Sequence, residues 1–204
     1  MDRPATATWF FERADEDIDV VFYGPPRLVT HLDDAAITEV GRLYRQLGLV
    51  GDVLDVMSSW VSHFDPPPER LTVLGMNAVE LDRNPAATAR VVHDLNVDLR
   101  LPFDDESFDA VTCCVSIDYL VRPVEVLTDV ARVLRPGGPC VLTFSNRCFP
   151  TKAIRGWLVA SEAQRVDIAR AYFDATEAFD TVRAELRNPD QRSDPLYAVW
   201  ATRR

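Results

Sequence analysis

Apolar residues recur along this chain in two periods, and the alternation of those periods outlines an α/β domain. Between Asp33 and Gly48, the residues Ile37, Val40, Leu43, Tyr44 and Leu47 fall three or four apart, the spacing of one helix face. Asp33 or Asp34 caps its start and Gly48 ends it. Short apolar runs then follow at 52–56, Leu71–Leu74, Arg90–His93, Phe108–Val115 and Cys140–Phe144, each of strand length. A short helix is expected after residue 56, stopped by Asp65-Pro66-Pro67-Pro68. A second helical piece covers Ala78–Arg83. A longer helix starts near Val124, with Leu127, Val130, Ala131 and Leu134 in its stripe, and Arg135-Pro136-Gly137-Gly138 turns it back. Thr151–Phe173 reads as helix, Phe179–Leu186 as a strand, Asn188–Asp194 as a polar turn and Leu196–Ala201 as a last strand. This order predicts a mostly parallel seven-stranded sheet, covered by helices on both faces and closed by an antiparallel pair. One domain over 1–204 is expected. Residues 1–30 read as an irregular arm, aromatic at Trp9, Phe10, Phe11, Phe22 and Tyr23, that either packs on the core or acts as a lid.

Composition narrows the partners. The chain has 204 residues, 47% of them hydrophobic and 26% charged, as in a soluble globular domain. A net charge of −10 argues against nucleic acid and against docking on anionic membranes. No apolar run has the length of a membrane span, and the start lacks the layout of a signal peptide, so a cytoplasmic location is expected. Cys113, Cys114, Cys140 and Cys148 make no C-x-x-C pair and read as reduced thiols, with Cys148 alone in a loop-like stretch. There is no zinc spacing, nucleophile elbow or P-loop, and no metal is expected. The want of G-x-G-x-x-G argues against a dehydrogenase.

The stretch GDVLDVMSSWVSHF, residues 51–64, has the position of a cofactor loop, where a first strand hands over to the first helix. It lacks the usual glycines, reading Val56-Met57-Ser58-Ser59-Trp60 after Asp55.

Residues 101–145, LPFDDESFDAVTCCVSIDYLVRPVEVLTDVARVLRPGGPCVLTFSN, resemble the class I S-adenosylmethionine-dependent methyltransferases, of the methyltransferase type 11 kind. The LPF-x-D-x-SFD loop and the RVLRPGG turn stand at that family's spacing. The first loop, together with FYGPPRLVTHLDDA and NRCFPTK, resembles a divergent branch with SSWVSH in place of the glycine-rich motif. The resemblance implies a three-layer Rossmann-like methyltransferase fold over about residues 35–202. It implies S-adenosylmethionine as cofactor, S-adenosylhomocysteine as product and a small-molecule acceptor. Carried over position by position, it puts Asp55 at the acidic place after the first strand, with Met57, Ser58 and Ser59 where glycines approach the cofactor. Asn77 stands where an acid usually meets the ribose hydroxyls. Asp94, Leu95 and Asn96 stand at the adenine, with Val115 beside the cofactor after the fourth strand.

Methyl transfer is an in-line displacement that needs positioning first, and a base only where the acceptor must lose a proton. His63 is the candidate base by position, against a helix-end hydrogen bond. Asp118 and Tyr119 follow the fourth strand as further catalytic candidates, against a helix cap and a core aromatic. Tyr23, Arg27, Asn146, Arg147 and Cys148 are expected to face the acceptor. For Arg147 the alternative is a surface salt bridge. His31 and His93 read as structural, at a helix entry and inside a strand. The alternative to an enzyme is a binding or regulatory protein on the same fold with altered cofactor binding. A homodimer is left open.

Overall fold

The computed structural model describes residues 5–189 and 192–204. Strands β1 (Asp52–Val56), β2 (Arg70–Gly75), β3 (Ala89–Val92), β4 (Ala110–Cys114) and β5 (Pro139–Phe144) run parallel. Strand β7 (Tyr197–Thr202) joins β5 antiparallel and carries β6 (Arg183–Leu186) at the edge. The order is β3-β2-β1-β4-β5-β7-β6, one sheet of seven strands. The central strands are buried on both faces because they are continuous runs of branched apolar residues.

Two cores lie on the two faces. Val53, Leu71, Val73 and Val141 meet Val40, Leu43 and Tyr44 of α3 (Asp34–Gln46). Helix α4 (Ala78–Asp82) adds Leu81 to that side. Leu54, Val56 and Leu142 meet α5 (Pro123–Val133), α6 (Arg155–Val159) and α7 (Glu162–Thr176) on the other. The helix start at Asp33 is as expected, its side chain accepting from the Ala36 amide at 2.9 Å.

Four expectations need correcting. Residues 57–69 contain no helix. Met57 and His63 both have left-handed backbone, with φ 54 and 52, and Ser59 and Ser62 bond to Glu80 and Asn84 rather than along a helix. Thr151–Phe173 is not one helix, because Ser161 starts α7 with a capping box to Gln164. Strand β6 begins at Arg183, and Phe179 makes only an isolated bridge to Arg203. The arm is not irregular throughout, since Ala5–Phe11 and Asp19–Tyr23 form α1 and α2.

The loop after β1 lies against β2. The Ser58 amide donates to the Leu74 carbonyl at 2.8 Å. A Cβ on Gly75 would stand 2.2 Å from the Ser58 carbonyl oxygen, so only glycine lets the loop settle there. Gly75→Ala therefore destabilises the fold by about 1–3 kcal/mol, read as a lower urea midpoint. An unchanged midpoint would contradict this packing.

Candidate functional site

Ligands in open α/β sheets bind beyond the carboxyl ends of the strands, where the strand order reverses. Here that point lies between β1 and β4, and a cavity of about 510 Å³ opens there. The loops after β1, β2, β3, β4 and β5 line it, and the N-terminal arm from Asp19 to His31 forms its remaining wall.

Asp55 is the last residue but one of β1 and is buried. Its carboxylate accepts from Ser58 Oγ and from Thr112 Oγ1, both at 2.7 Å. Thr112 is its register partner across β4. Burial pushes the Asp55 carboxyl up, and the hydroxyls oppose this. Asp55 thus anchors the loop, and that loop presents Met57, Ser59 and Trp60 to the cavity. Met57 has left-handed backbone, φ 54, a conformation that favours glycine. Trp60 Nε1 donates to the Val29 carbonyl at 3.0 Å, which ties the loop to the arm.

Asn77 lines the cavity, but its side-chain amide is committed elsewhere. Its Oδ1 accepts from the Val79 and Glu80 amides and caps α4. Its Nδ2 donates to the Tyr23 and Gly24 carbonyls, each at 2.8 Å. The acid on this side is Glu80, one turn along α4, which the sequence alone did not single out. Glu80 Oε1 accepts from the Arg27 amide and Oε2 from Ser59 Oγ, both at 2.6 Å.

Asp94 offers one free oxygen. Its Oδ1 accepts from the Asn96 amide at 2.9 Å, and Oδ2 has no protein partner among the described residues. Leu95 is a buried backing for it. Asn96, like Asn77, is committed, and its bonds run to the arm and to the loop after β4. Val115 also adopts left-handed backbone, φ 49, at the cavity wall.

Three histidines line the cavity, against two expected to be purely structural. His31 comes from the arm. His93 lies just past β3 rather than inside it, and its Nε2 contacts the Asp98 carbonyl at 2.8 Å. Burial, then the charge of His31, pushes His63 down to about 4. Burial also lowers His31. Burial thus favours the neutral form of both imidazoles.

The remaining candidates divide. Tyr119 lines the cavity, and its hydroxyl accepts from the Phe149 amide at 2.8 Å. Tyr23, Tyr119 and Phe149 form an aromatic wall, with centroids 5.9–6.4 Å apart. Arg27 stacks on Phe22 with 4.5 Å from its guanidinium carbon to the ring centroid. Asn146, Arg147 and Cys148 are all at the rim. Arg147 pairs with Asp194 at 2.7 Å and is largely exposed, the surface salt bridge. Burial raises the Cys148 thiol, so it is no ready nucleophile.

Asp118 is not in the cavity wall. It is buried in the short 3-10 turn Ile117–Tyr119, caps nothing, and its Oδ2 has no partner. Burial pushes its carboxyl up to about 7. A folded-state value above the unfolded one adds stability at low pH, and that contribution is lost as pH rises from about 4 to about 7. Asp118→Asn is thus expected to stabilise the fold at pH 8 by up to roughly 4 kcal/mol, an upper bound. The advantage fades toward pH 4, and paired thermal melts across that range check it.

Comparison with known proteins agrees with this geometry. Residues 58–142 match the model of the methyltransferase domain family. A demethylmenaquinone methyltransferase of Mycobacterium sp. (strain KMS) is 50% identical over 56 residues, 26% of this chain and 24% of the relative. One from Clavibacter sepedonicus is 33% identical over 95 residues, 46% of this chain and 38% of the relative. A ubiquinone biosynthesis O-methyltransferase of Xanthomonas oryzae pv. oryzae (strain PXO99A) is 28% identical over 100 residues, 49% of this chain and 40% of the relative. The chain therefore spans less than half the length of these relatives. A SAM-dependent methyltransferase from Aquifex aeolicus superposes with a TM-score of 0.62 at 13% identity, covering 84% of this chain and 94% of that one. Residues 58–142 thus resemble the methyltransferase domain family, and the seven-stranded sheet has the fold of solved S-adenosylmethionine-dependent methyltransferases.

Proposed function

We propose that this chain is a methyltransferase that uses S-adenosylmethionine to methylate a small-molecule acceptor. The observation that carries the reading is the free Asp94 oxygen at the strand-switch cavity, backed by buried Leu95. The cavity's donor set fits the cofactor. Asp94 Oδ2 can accept from the adenine amine, with Leu95 against the ring. Glu80 supplies the acid for the ribose hydroxyls in place of Asn77, since each of its oxygens accepts one bond and has a lone pair to spare. Ser59 and the turn at Met57 border the methionine portion.

When bound, the cofactor supplies an electrophilic methyl group on a sulfonium. The protein's part is to hold the acceptor in line and exclude water. Tyr23, Tyr119 and Phe149 offer an aromatic wall of edge-on and tilted rings. His63 and His31, whose neutral forms burial favours, stand where a proton leaving an acceptor hydroxyl could be taken. Arg147 and Arg27 already have protein partners, so an uncharged ring acceptor suits the cleft better than a carboxylate or phosphate. The relatives named for demethylmenaquinone and for ubiquinone biosynthesis are in keeping with that class. The reading includes a cytoplasmic enzyme that takes no nucleic acid and docks on no membrane. Among the described residues no helix is long and apolar enough to cross one.

A second reading, a binding protein on this fold without turnover, rests on the committed Asn77 amide and on Met57 in a backbone conformation that favours glycine. Calorimetry with S-adenosylhomocysteine, followed by turnover of labelled donor over hydroxylated ring acceptors, separates the two. We expect binding, weakened at least about tenfold by Asp94→Ala (about 1.4 kcal/mol), and turnover lowered by His63→Ala with donor affinity kept. No binding at millimolar ligand rejects the enzyme. Binding without any turnover favours the second reading.

A further inference from the structure

The mechanism leaves an internal ion cluster unused. Lys152 is wholly buried, and its ammonium contacts Asp19 Oδ1 at 3.0 Å and Asp15 Oδ2 at 3.2 Å. It also donates to the Asp17 carbonyl at 2.8 Å. Asp19 is buried too and accepts from Arg13 Nη1 with both oxygens at 2.8 Å. Burying two cations on one carboxylate is costly in desolvation, and a core of apolar residues would hold the arm as well.

The third partner of Asp19 gives the cluster its direction. Asp19 Oδ2 accepts from Asn96 Nδ2 at 2.9 Å. The same Nδ2 donates to the Tyr119 carbonyl at 3.0 Å, and Asn96 Oδ1 accepts from the Val121 amide at 3.0 Å. The Asn96 amide in turn holds Asp94 Oδ1. A continuous chain thus runs from Lys152, beyond β5, through Asp19 of the arm and Asn96, to the carboxylate assigned to the adenine.

We infer that Asp19 is a positioning residue for the donor site, fixing Asp94 through Asn96 and making the N-terminal arm an integral wall of that site. The inference rests on the proposed methyltransferase reading. With both Asn96 groups engaged, the Asp94-Leu95-Asn96 turn is held in one orientation, with Asp94 lining the cavity. Removing the Asp19 charge frees Asn96 and lets the turn relax. Lys152 keeps Asp15 and the Asp17 carbonyl in that variant, so the arm itself stays attached.

The test is a double-mutant cycle on the full chain with Asp19→Asn and Asn96→Ala, read by the affinity for S-adenosylhomocysteine and for adenosine. Asp19→Asn should weaken both ligands by the same factor, about tenfold or more. The double variant should be no worse than Asn96→Ala alone, because the two act in series. Arg155→Ala, which breaks the arm's surface pair with Glu12, should leave both affinities unchanged. Equal affinity in Asp19→Asn and the unaltered protein, or additive losses, would overturn the inference. In the free protein, amide exchange across 94–98 should quicken in Asp19→Asn, and unchanged exchange would overturn it as well. If the unaltered protein binds neither ligand, the functional reading fails, while the exchange measurement still decides the positioning. Should Asp19→Asn not fold, Asn96→Asp, which sets a second carboxylate against Asp19, must lower the same affinities, and unchanged values would overturn the inference.

Discussion

The buried carboxylate of Asp55 is the constraint on which the site depends. Among the described residues no cation pairs with it; the Ser58 and Thr112 hydroxyls donate to it, with Ser62 also lowering its carboxyl. A carboxylate with so little compensation is expensive to bury, so the geometry around it has little freedom. One hydroxyl comes from the next strand and the other from the loop, so the same interaction sets where the sheet ends and where the loop begins. Met57, Ser59 and Trp60 follow from that placement. Through Ser59 it reaches Glu80, and through Trp60 it reaches the arm.

Related folds meet a cofactor with glycines and a helix N-terminus, whose amides and dipole suit a charged ligand. Neither is present between β1 and β2 in this chain. On the proposed reading that holding falls to side chains, and Ser59, Glu80 and Asp94 all line the cavity. Met57, His63 and Val115 all take left-handed backbone, the conformation that glycine adopts at least cost. Such conformations cost about 1 kcal/mol or more at a residue with a side chain, which the packing around the cavity must offset. The arm then covers a cleft that would otherwise stay open on one side.

The sheet was legible in the sequence because continuous apolar runs and the RPGG turn report buried parallel strands directly. The first loop was legible in position but not in form. Its helical start was an expectation from neighbouring elements, whereas Ser58 and Ser62 bond to tertiary partners. Asn77 and Asn96 were found as cavity positions, yet their amides point into the scaffold, and no local pattern reveals orientation. Glu80, Asp19 and Lys152 were missed because their partners lie far off in sequence. A carboxylate on a short helix, or a lysine after a strand, carries no sign of such contacts. His31 and His93 were read as structural from their neighbours alone, and only the meeting of the arm with the strand ends brings them to one cavity.

On this view the first loop, the turn after β3 and the N-terminal arm close one donor cavity together. Hydrogen–deuterium exchange of the full chain, with and without S-adenosylhomocysteine, reads all three segments at once. Simultaneous protection of residues 57–62, 93–97 and 19–31 at one ligand affinity is expected. Protection confined to the strand-end loops with the arm unchanged, or protection elsewhere, would contradict a shared cavity.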